Sequence, residues 1–214
     1  MEKKDVHYKD PHLKYATDLK QNRFFTKNQN NYINVASKEQ LPPIGKVFLL
    51  DVFLSSGNMV EPHYHANASE LIYCITGETV VSMINPTTNE LKSIRIEPQQ
   101  VVTIPQGWWH YFEASKDGTH VLTIYDTYNL ETIWGSDVLR LTPPQVFAHA
   151  YCLDQEQVQQ TLGSIKERVI IGPPADCNQS RGSDNTQETR PYYQAPYAYY
   201  PFYPGAMPPN YYNP

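Results

Sequence analysis

The sequence has few cysteines and no long apolar run. Three cysteines occur in 214 residues, Cys74, Cys152 and Cys177. Their number is odd and no CxxC spacing is present, which excludes a disulfide scaffold and predicts free thiols in a reducing compartment. The longest apolar runs, such as residues 47–50, are far too short to cross a bilayer. We therefore expect no membrane partner.

The sequence also has no excess of basic residues and no apolar pattern near residue 1 that would predict a leader segment. The formal net charge is −5, and no long basic run provides the electrostatic footprint of a nucleic-acid-binding protein. Residues 1–7 are polar and charged, and they lack the apolar region of a secretory signal. We expect cytoplasmic synthesis without a signal peptide and no nucleic-acid partner.

Composition divides the chain into four stretches. Residues 1–30 are rich in Lys, Asn and Gln with weak periodicity, and predict a polar N-terminal arm, either without a role or wrapping a neighbouring subunit. Residues 31–172 have the patterning of a folded domain. Residues 173–190 predict a flexible linker. Residues 191–214 form a tail of eight tyrosines and seven prolines among 24 residues, for which we expect disorder and polyproline-like states.

The folded stretch is dominated by short strand patterns. Runs of Val, Ile, Leu, Phe and Tyr alternate with turn residues. The candidate strands are residues 46–55, 59–65, 70–76, 78–84, 91–96, 101–104, 110–114 and 119–127. Short strands at this spacing, with no helical pattern of 10–15 residues between them, predict an all-β sandwich or barrel and disfavour a parallel βαβ sheet.

Helical signals follow the strand patterns. Residues 144–151 and 155–162 predict two short helices, and Asp154 and Gly163 are suitable N-terminal and C-terminal caps for the second. Residues 165–171 predict a last strand or an extended closing segment. We expect these small helices to pack against one face of the β-domain.

Four potential metal ligands are clustered in this domain. His63 and His65 are two residues apart in a predicted strand, so alternation places both imidazoles on one face. Glu70 follows a short turn, and His110 begins a later strand after a Pro-Gly turn. Ordinary half-buried residues are the alternative, since an HxH pair alone is common. Closure of the strands into a barrel would bring all four side chains together inside it.

The ligand types point to particular ions. Three imidazoles and one carboxylate suit Mn, Fe, Ni or another first-row divalent ion better than they suit a closed structural zinc site. Four protein ligands leave two octahedral positions open, which can hold water, a carboxylate or dioxygen.

These residues resemble the two motifs of the cupin superfamily. The first motif, G-x5-H-x-H-x3–4-E-x6-G, is matched at every position within residues 57–77. The second, G-x5-P-x-G-x2-H-x3-N, is matched over residues 105–110 and departs at its outer positions, which are Gln99 and Ala114 here. Neither departure falls on a metal ligand.

Within that superfamily the chain is similar to the germin and oxalate decarboxylase branch, over residues 30–172. The segment 134–151 resembles the short helices that close those domains. The resemblance implies a double-stranded β-helix jelly-roll barrel with short C-terminal helices, manganese held by the four residues named above, and homo-oligomers that are trimers or hexamers. Bacterial oxalate decarboxylases carry two cupins per chain, whereas this sequence carries one.

One departure from the branch bears on activity. Oxalate decarboxylases place an arginine three residues before the first ligand histidine, where it clamps the substrate carboxylate. That position is Val60 here, and a neutral side chain cannot supply the charge-assisted hydrogen bonds that hold a dianion. We expect a metal-dependent decarboxylase or oxidase/dioxygenase that acts on a small carboxylate or a related chelating substrate other than oxalate. No catalytic residue is assigned beyond the metal ligands.

A non-catalytic function is the alternative. The barrel would bind metal and oligomerise as a structural protein, and the tail would bind or cross-link to other proteins in an assembly such as a spore coat, because tyrosine offers both an apolar face and a polar tip. Tails of this kind resemble those of bacterial spore-coat proteins. Val60 favours this alternative, and the complete ligand set favours the enzyme.

Overall fold

The computed structural model describes residues 6–175 and residue 177, and this part of the chain contains twelve strands and three α-helices. The strands are β1 (Arg23–Asn28), β2 (Asn31–Ala36), β3 (Phe48–Leu54), β4 (Met59–His65), β5 (Glu70–Thr76), β6 (Thr79–Asn85), β7 (Glu90–Ile96), β8 (Val101–Ile104), β9 (His110–Ala114), β10 (Thr119–Tyr125), β11 (Thr132–Trp134) and β12 (Ile171–Gly172). The helices are α1 (Gly135–Leu141), α2 (Pro144–Tyr151) and α3 (Gln155–Leu162).

The strands form two antiparallel sheets that pack face to face. One sheet has the order β1-β2-β3-β10-β5-β8, and the other has the order β11-β4-β9-β6-β7. The short strands β11 and β12 pair with opposite ends of β4. This arrangement confirms the predicted all-β jelly roll with short C-terminal helices. The tail predicted at residues 191–214 lies outside the described residues, as does most of the linker predicted at 173–190.

The core lies between the sheets because side chains alternate along each strand. In β10, every second residue from Thr119 to Tyr125 is buried, and the residues between them are half-buried. Both sheets contribute large, fully buried apolar side chains. These are Ile33, Val52, Leu54, Ile72, Val81, Ile104, Phe112, Val121 and Ile171.

The structure differs from the sequence-based expectation near the N-terminus. The segment 1–30, predicted to be a polar arm, contains β1, which pairs with β2 at the edge of the first sheet. The polar arm is therefore a wrong description for Arg23–Asn28. This strand was missed because most of its residues are polar and exposed, and its pairing with β2 has two register shifts.

The C-terminal segment returns to β4. The carboxylate of Glu61 is buried, and it accepts hydrogen bonds from the backbone N–H and hydroxyl of Ser136, at 2.7 and 2.8 Å, and from the N–H of Ile170 at 2.7 Å. The side chain of Glu61 therefore links β4, the strand that carries His63 and His65, to the first turn of α1 and to the residue that precedes β12. Among the described residues, no helix has the length and apolar character needed to span a membrane.

Candidate metal centre

The structure brings the four predicted ligands together between the sheets. His63 and His65 lie on β4, His110 is the first residue of β9, and Glu70 is the first residue of β5 in the opposite sheet. All four are buried, and their ligand atoms lie within 4.8 Å of one another. No other group of three or more such side chains occurs in the described part of the chain.

Two of the rings are fixed by backbone carbonyls. Nδ1 of His63 lies 2.6 Å from the carbonyl oxygen of Glu61, and Nδ1 of His110 lies 2.8 Å from that of Trp108. A carbonyl oxygen can only accept, so Nδ1 carries the hydrogen in both rings. In a neutral ring this leaves Nε2 with a lone pair, which is the form that binds a metal.

His65 is oriented by a hydroxyl group. Its Nδ1 lies 3.0 Å from Oγ1 of Thr132 on β11, and its Nε2 lies 3.2 Å from Oε2 of Glu70. Register places Thr132 opposite His65 in the β11–β4 pair. The short strand β11 therefore supports a ligand that comes from its neighbour.

Nε2 of His110 has no hydrogen-bond partner among the described residues, although it is fully buried. It lies 2.9 Å from Oε2 of Glu70, within ion-pair distance but without the angle of a hydrogen bond. With its hydrogen on Nδ1, the ring directs a lone pair toward an acceptor oxygen. Such a contact is unfavourable unless a metal ion binds both atoms or Nε2 carries a second proton.

The second carboxylate oxygen of Glu70 is held separately. Oε1 accepts a hydrogen bond of 3.0 Å from the hydroxyl of Tyr125, which in turn accepts one of 2.9 Å from Oγ1 of Thr123. Oε2 is thereby directed toward Nε2 of His65 and His110. Tyr125 is opposite Glu70 in the β10–β5 pair, so the sheet register places the phenol within hydrogen-bond distance of the carboxylate.

The protonation states favour a cation. Burial, followed by the nearby His110 and His65, lowers the pKa of His63 well below its usual value. Burial alone would raise the pKa of Glu70, but His110 and His65 outweigh burial and lower it. Burial and Glu70 raise the pKa of Tyr125 well above its usual value. At neutral pH the site holds a carboxylate, a neutral His63 and a neutral phenol.

Sequence patterns did not identify the supporting residues. Tyr125 hydrogen-bonds Glu70, Thr132 orients a histidine, and the ring of Trp134 lies 4.8 Å from that of His63. Alternation along β10 indicates only that Tyr125 faces the core. Its position opposite Glu70 depends on a register between strands that are distant in the sequence.

A cavity of about 20 Å³ lies beside His63 and His65. This volume is close to the space that one water molecule occupies. The other lining residues are mostly apolar, include Val60 and include no arginine or lysine. They are Phe24, Ile33, Leu50, Val52, Val60, Phe112, Thr123, Tyr125, Leu130, Thr132 and Trp134.

The donor set fits a first-row divalent ion. Three imidazole nitrogens and a carboxylate oxygen are ligands that Mn, Fe, Co and Ni accept. Their largest separation, 4.8 Å, exceeds twice a metal–ligand bond of about 2.1 Å by roughly 0.6 Å, so a small inward shift of the side chains would let one ion contact all four. A bound ion would also account for the buried Nε2 of His110, which has no hydrogen-bond partner among the described residues. The residues present therefore fit the ion that their chemistry implies.

Comparison with known families agrees with the fold and the motifs. Residues 17–159 match the family described as cupin. Because the match covers more than half of the chain, the protein belongs to the cupin family.

Two individual relatives are each 28% identical to part of this chain. The chain is 28% identical to glycinin G4 of Glycine max over 132 residues, which is 62% of this chain and 23% of that protein. It is also 28% identical to legumin B of Pisum sativum over 123 residues, which is 57% of this chain and 36% of that protein. The chain thus spans 23% of the length of the first relative and 36% of the length of the second.

Solved structures share the fold. The coconut allergen cocosin has a TM-score of 0.65 at 21% identity, covering 72% of this chain and 42% of that one. A mutant of oxalate decarboxylase from Bacillus subtilis has a TM-score of 0.62 at 20% identity, covering 77% of this chain and 44% of that one. These similarities establish the jelly-roll architecture.

Proposed function

We propose that the protein is a metal-dependent cupin in which His63, His65, Glu70 and His110 hold one first-row divalent ion, with manganese as the expected metal and iron or nickel as alternatives. The buried Nε2 of His110, directed at a carboxylate oxygen without a hydrogen bond, is the observation that carries this proposal. A divalent ion bound to both atoms would relieve that contact, as would a proton on Nε2, and the set of three imidazoles and one carboxylate favours the metal ion.

We further propose that the centre acts as an enzyme on a small carboxylate or a related oxygen chelator. The ion would supply Lewis-acid or redox chemistry at positions that the protein ligands leave open. The chain's own residues fix the geometry: backbone carbonyls hold two imidazoles, Tyr125 holds Glu70, and the apolar lining excludes bulk water. A decarboxylase or an oxidase/dioxygenase is the reaction class that this arrangement suits.

Oxalate is a poor candidate for the substrate. Val60 lines the cavity beside His63 and His65, and none of the residues around that cavity is a lysine or arginine. A dianion placed there would lose its hydration without a compensating cation other than the metal. The resemblance to the germin and oxalate decarboxylase branch therefore supports metal binding more strongly than it supports this substrate.

An activity assay with metal-loaded protein tests the enzymatic proposal. The Mn-loaded protein would be incubated with oxalate and with a panel of small mono- and dicarboxylates, while dioxygen uptake, carbon dioxide and peroxide are followed. We expect weak or no turnover of oxalate and metal-dependent turnover of another member of the panel. Brisk oxalate turnover would contradict the role given to Val60.

A metal-binding structural protein is the second candidate. The small size of the cavity favours it, because about 20 Å³ leaves little room for a substrate. In this case metal would raise the thermal stability of the protein, and no carboxylate in the panel would be consumed. Turnover that depends on the metal would exclude this candidate.

The assembly and location of the protein belong to the same proposal. We propose a homo-oligomer, a trimer or a hexamer, made in the cytoplasm and deposited in a layered assembly such as a spore coat, with the Tyr/Pro tail in contact with other proteins. The resemblance to germins and the composition of the tail support this. Light scattering coupled to gel filtration gives the subunit number, and a mass corresponding to a monomer would contradict it.

A further inference from the structure

The cavity beside His63 and His65, which we call the metal cavity, meets solvent at one side chain. Apart from Phe24, Leu130 and Thr132, every residue that lines it is buried. Leu130 and Thr132 are half-buried, whereas Phe24 is 43% exposed. Phe24 therefore contacts both the cavity and solvent.

An irregularity in β1 turns Phe24 toward this cavity. The pairing of β1 with β2 passes directly from Arg23–Asn34 to Phe25–Ile33, so Phe24 is an extra residue without a partner of its own on β2. A β-bulge of this kind interrupts the alternation of side chains and re-aims the bulged residue. Phe25 packs against the core and Phe24 lines the metal cavity, although neighbours in a regular strand point to opposite faces.

The position of β1 in its sheet leaves the ring of Phe24 free to move. In the described part of the chain, β1 is the outermost strand of its sheet and pairs with β2 alone. An exposed side chain changes rotamer on a timescale of picoseconds to nanoseconds, without displacement of the backbone. Phe24 can therefore open and close the cavity while the two sheets stay in place.

The space left beside Phe24 is small. About 20 Å³ holds one water molecule, and a methyl group is of similar size. A longer apolar group enters the metal cavity only after the ring has moved. The side chain at position 24 therefore sets the length of the group that the cavity accepts.

The charges at the centre suit a ligand with one negative charge. A divalent ion held by neutral imidazoles and the Glu70 carboxylate would carry a single net positive charge. One carboxylate balances that charge, whereas a dianion would leave a negative charge buried among apolar side chains. No lysine or arginine lines the cavity to compensate for it. The rest of the ligand should be apolar, as the lining is.

We propose that the metal cavity binds monocarboxylates with a short apolar remainder, and that Phe24 is the residue that limits the length of this remainder. The ring acts on specificity and takes no part in holding the ion. This inference rests on the metal centre proposed above, and it narrows the small carboxylates named there to one class.

Binding of simple carboxylates to the Mn-loaded full chain, in its own oligomeric state, tests the proposal without requiring turnover. Acetate, hexanoate and malonate would be titrated separately while the EPR spectrum of the bound Mn, which changes when a ligand enters the coordination shell, is followed. In the wild type we expect acetate to bind at least about tenfold more tightly than hexanoate, because a single methylene in an apolar pocket already changes binding by about tenfold. Malonate, which carries two carboxylates, should bind more weakly than acetate.

Variants at position 24 should change the length preference and leave the Mn content unchanged. Phe24→Ala should raise the affinity for hexanoate by about tenfold or more. Phe24→Leu keeps apolar packing on β1 and should give an intermediate affinity, and it provides the same comparison if the alanine variant loses its Mn. Ile133→Ala removes a side chain that is 40% exposed on β11 and does not line the cavity, and it should keep the wild-type preference.

The possible failures are distinguishable. Equal affinities for hexanoate in the wild type and in the Phe24 variants would overturn the role of Phe24. Malonate binding as tight as that of acetate would overturn the monocarboxylate class. A wild type that takes up no Mn would contradict the metal centre itself, and this inference with it.

Discussion

The Tyr125 hydroxyl is the only group in the described structure shown donating a hydrogen bond to Oε1 of Glu70. That bond leaves Oε2 directed at two imidazole nitrogens, so a residue 55 positions away from Glu70 in the sequence sets the orientation of the carboxylate. Supporting groups of this kind commonly change metal affinity by about ten- to a hundredfold.

Tyr125→Phe should therefore weaken metal binding without unfolding the protein. The substitution removes one oxygen and leaves the ring in place, so Glu70 gains freedom to rotate away from the centre. We expect the affinity for Mn, measured by competition with a chelator of known affinity, to fall by about tenfold. Tyr64→Phe changes a half-buried tyrosine on β4, whose ring lies 6.3 Å from Trp109, and should leave the affinity unchanged. An unaltered affinity in Tyr125→Phe would show that the phenol does not position the ligand.

The two glycines that bound the first motif should differ in their tolerance of a side chain. Both have positive φ, +75° at Gly57 and +77° at Gly77, which is strained for alanine. A Cβ at Gly57 would meet nothing within 4 Å, whereas one at Gly77 would lie 2.6 Å from the Cα of Thr119. Backbone cannot move aside as a side chain can.

We expect Gly57→Ala to cost about 1–2 kcal/mol of unfolding free energy, which is the cost of the left-handed conformation alone. Gly77→Ala should cost at least about 2 kcal/mol more, because steric overlap with backbone is added. Urea denaturation of both variants measures the difference. Equal losses would mean that the contact with Thr119 does not determine the need for glycine.

At the scale of elements, β4 is the strand on which the site depends. It carries His63 and His65, it pairs with β9, which carries His110, and it receives β11 and β12 on its other side. The Glu61 carboxylate adds a fixed contact to α1. Helix α1 therefore stabilises the strand that holds half of the ligands.

Glu61→Gln tests this contact. One oxygen of Glu61 accepts from the N–H of Ser136, and the other accepts from the hydroxyl of Ser136 and the N–H of Ile170. A glutamine in either orientation places its NH₂ group against a backbone donor. Since a buried donor without a partner costs about 1–3 kcal/mol, we expect thermal or urea unfolding to show a loss of about 2 kcal/mol.

Glu113→Gln is the matched control. Burial raises the pKa of Glu113, so a neutral amide suits its surroundings better than a charged group would. We expect a change within about 0.5 kcal/mol. A Glu61→Gln variant as stable as this control would contradict the fastening role.

The positions of most strands and helices were predicted closely from the sequence, and the reason is physical. The bounds of β4, β5, β8 and β9 were predicted without error, as were those of α2 and α3, because turns with Gly, Pro and Asp punctuate clear periodic runs. The strands β1 and β2 were missed, as was the three-residue β11. These strands are polar, short or irregularly paired, and they exist through pairing with neighbours that local patterns do not reveal.

The residues of the candidate site also divide into those that the sequence predicts and those that it does not. The four ligands are adjacent to turns and form a motif, so their convergence was predictable from spacing. Thr132 and Tyr125 were not predictable, because their roles follow from the registers of β11 on β4 and of β10 on β5. The small apolar cavity was likewise hidden, since it is lined by residues from both sheets.

At the scale of the whole molecule, the folded unit should end after β12. Ile171 is 1% exposed and pairs with Val60, and Ile170 donates to Glu61. A chain that ends at residue 177 keeps all of these contacts. A chain that ends at residue 168 loses them.

We expect the chain that ends at 177 to unfold in one cooperative transition, with a change in unfolding free energy within about 0.5 kcal/mol, because it keeps the pairing of β12 with β4. The chain that ends at 168 should lose a further 3 kcal/mol or more, roughly the cost of removing a buried isoleucine. Failure of the longer chain to fold would contradict the linker prediction for residues 173–190.

The metal content of the purified protein tests the central claim most directly. We predict about one first-row metal ion per chain in the wild type, measured by elemental analysis after loading with Mn or Fe. A Glu70→Ala, His110→Ala variant should contain none, whereas a control variant, Glu113→Ala, His120→Ala, with the same residue types changed outside the centre, should keep it. A folded wild type that takes up neither Mn nor Fe, or a double variant that retains the ion, would contradict the assignment.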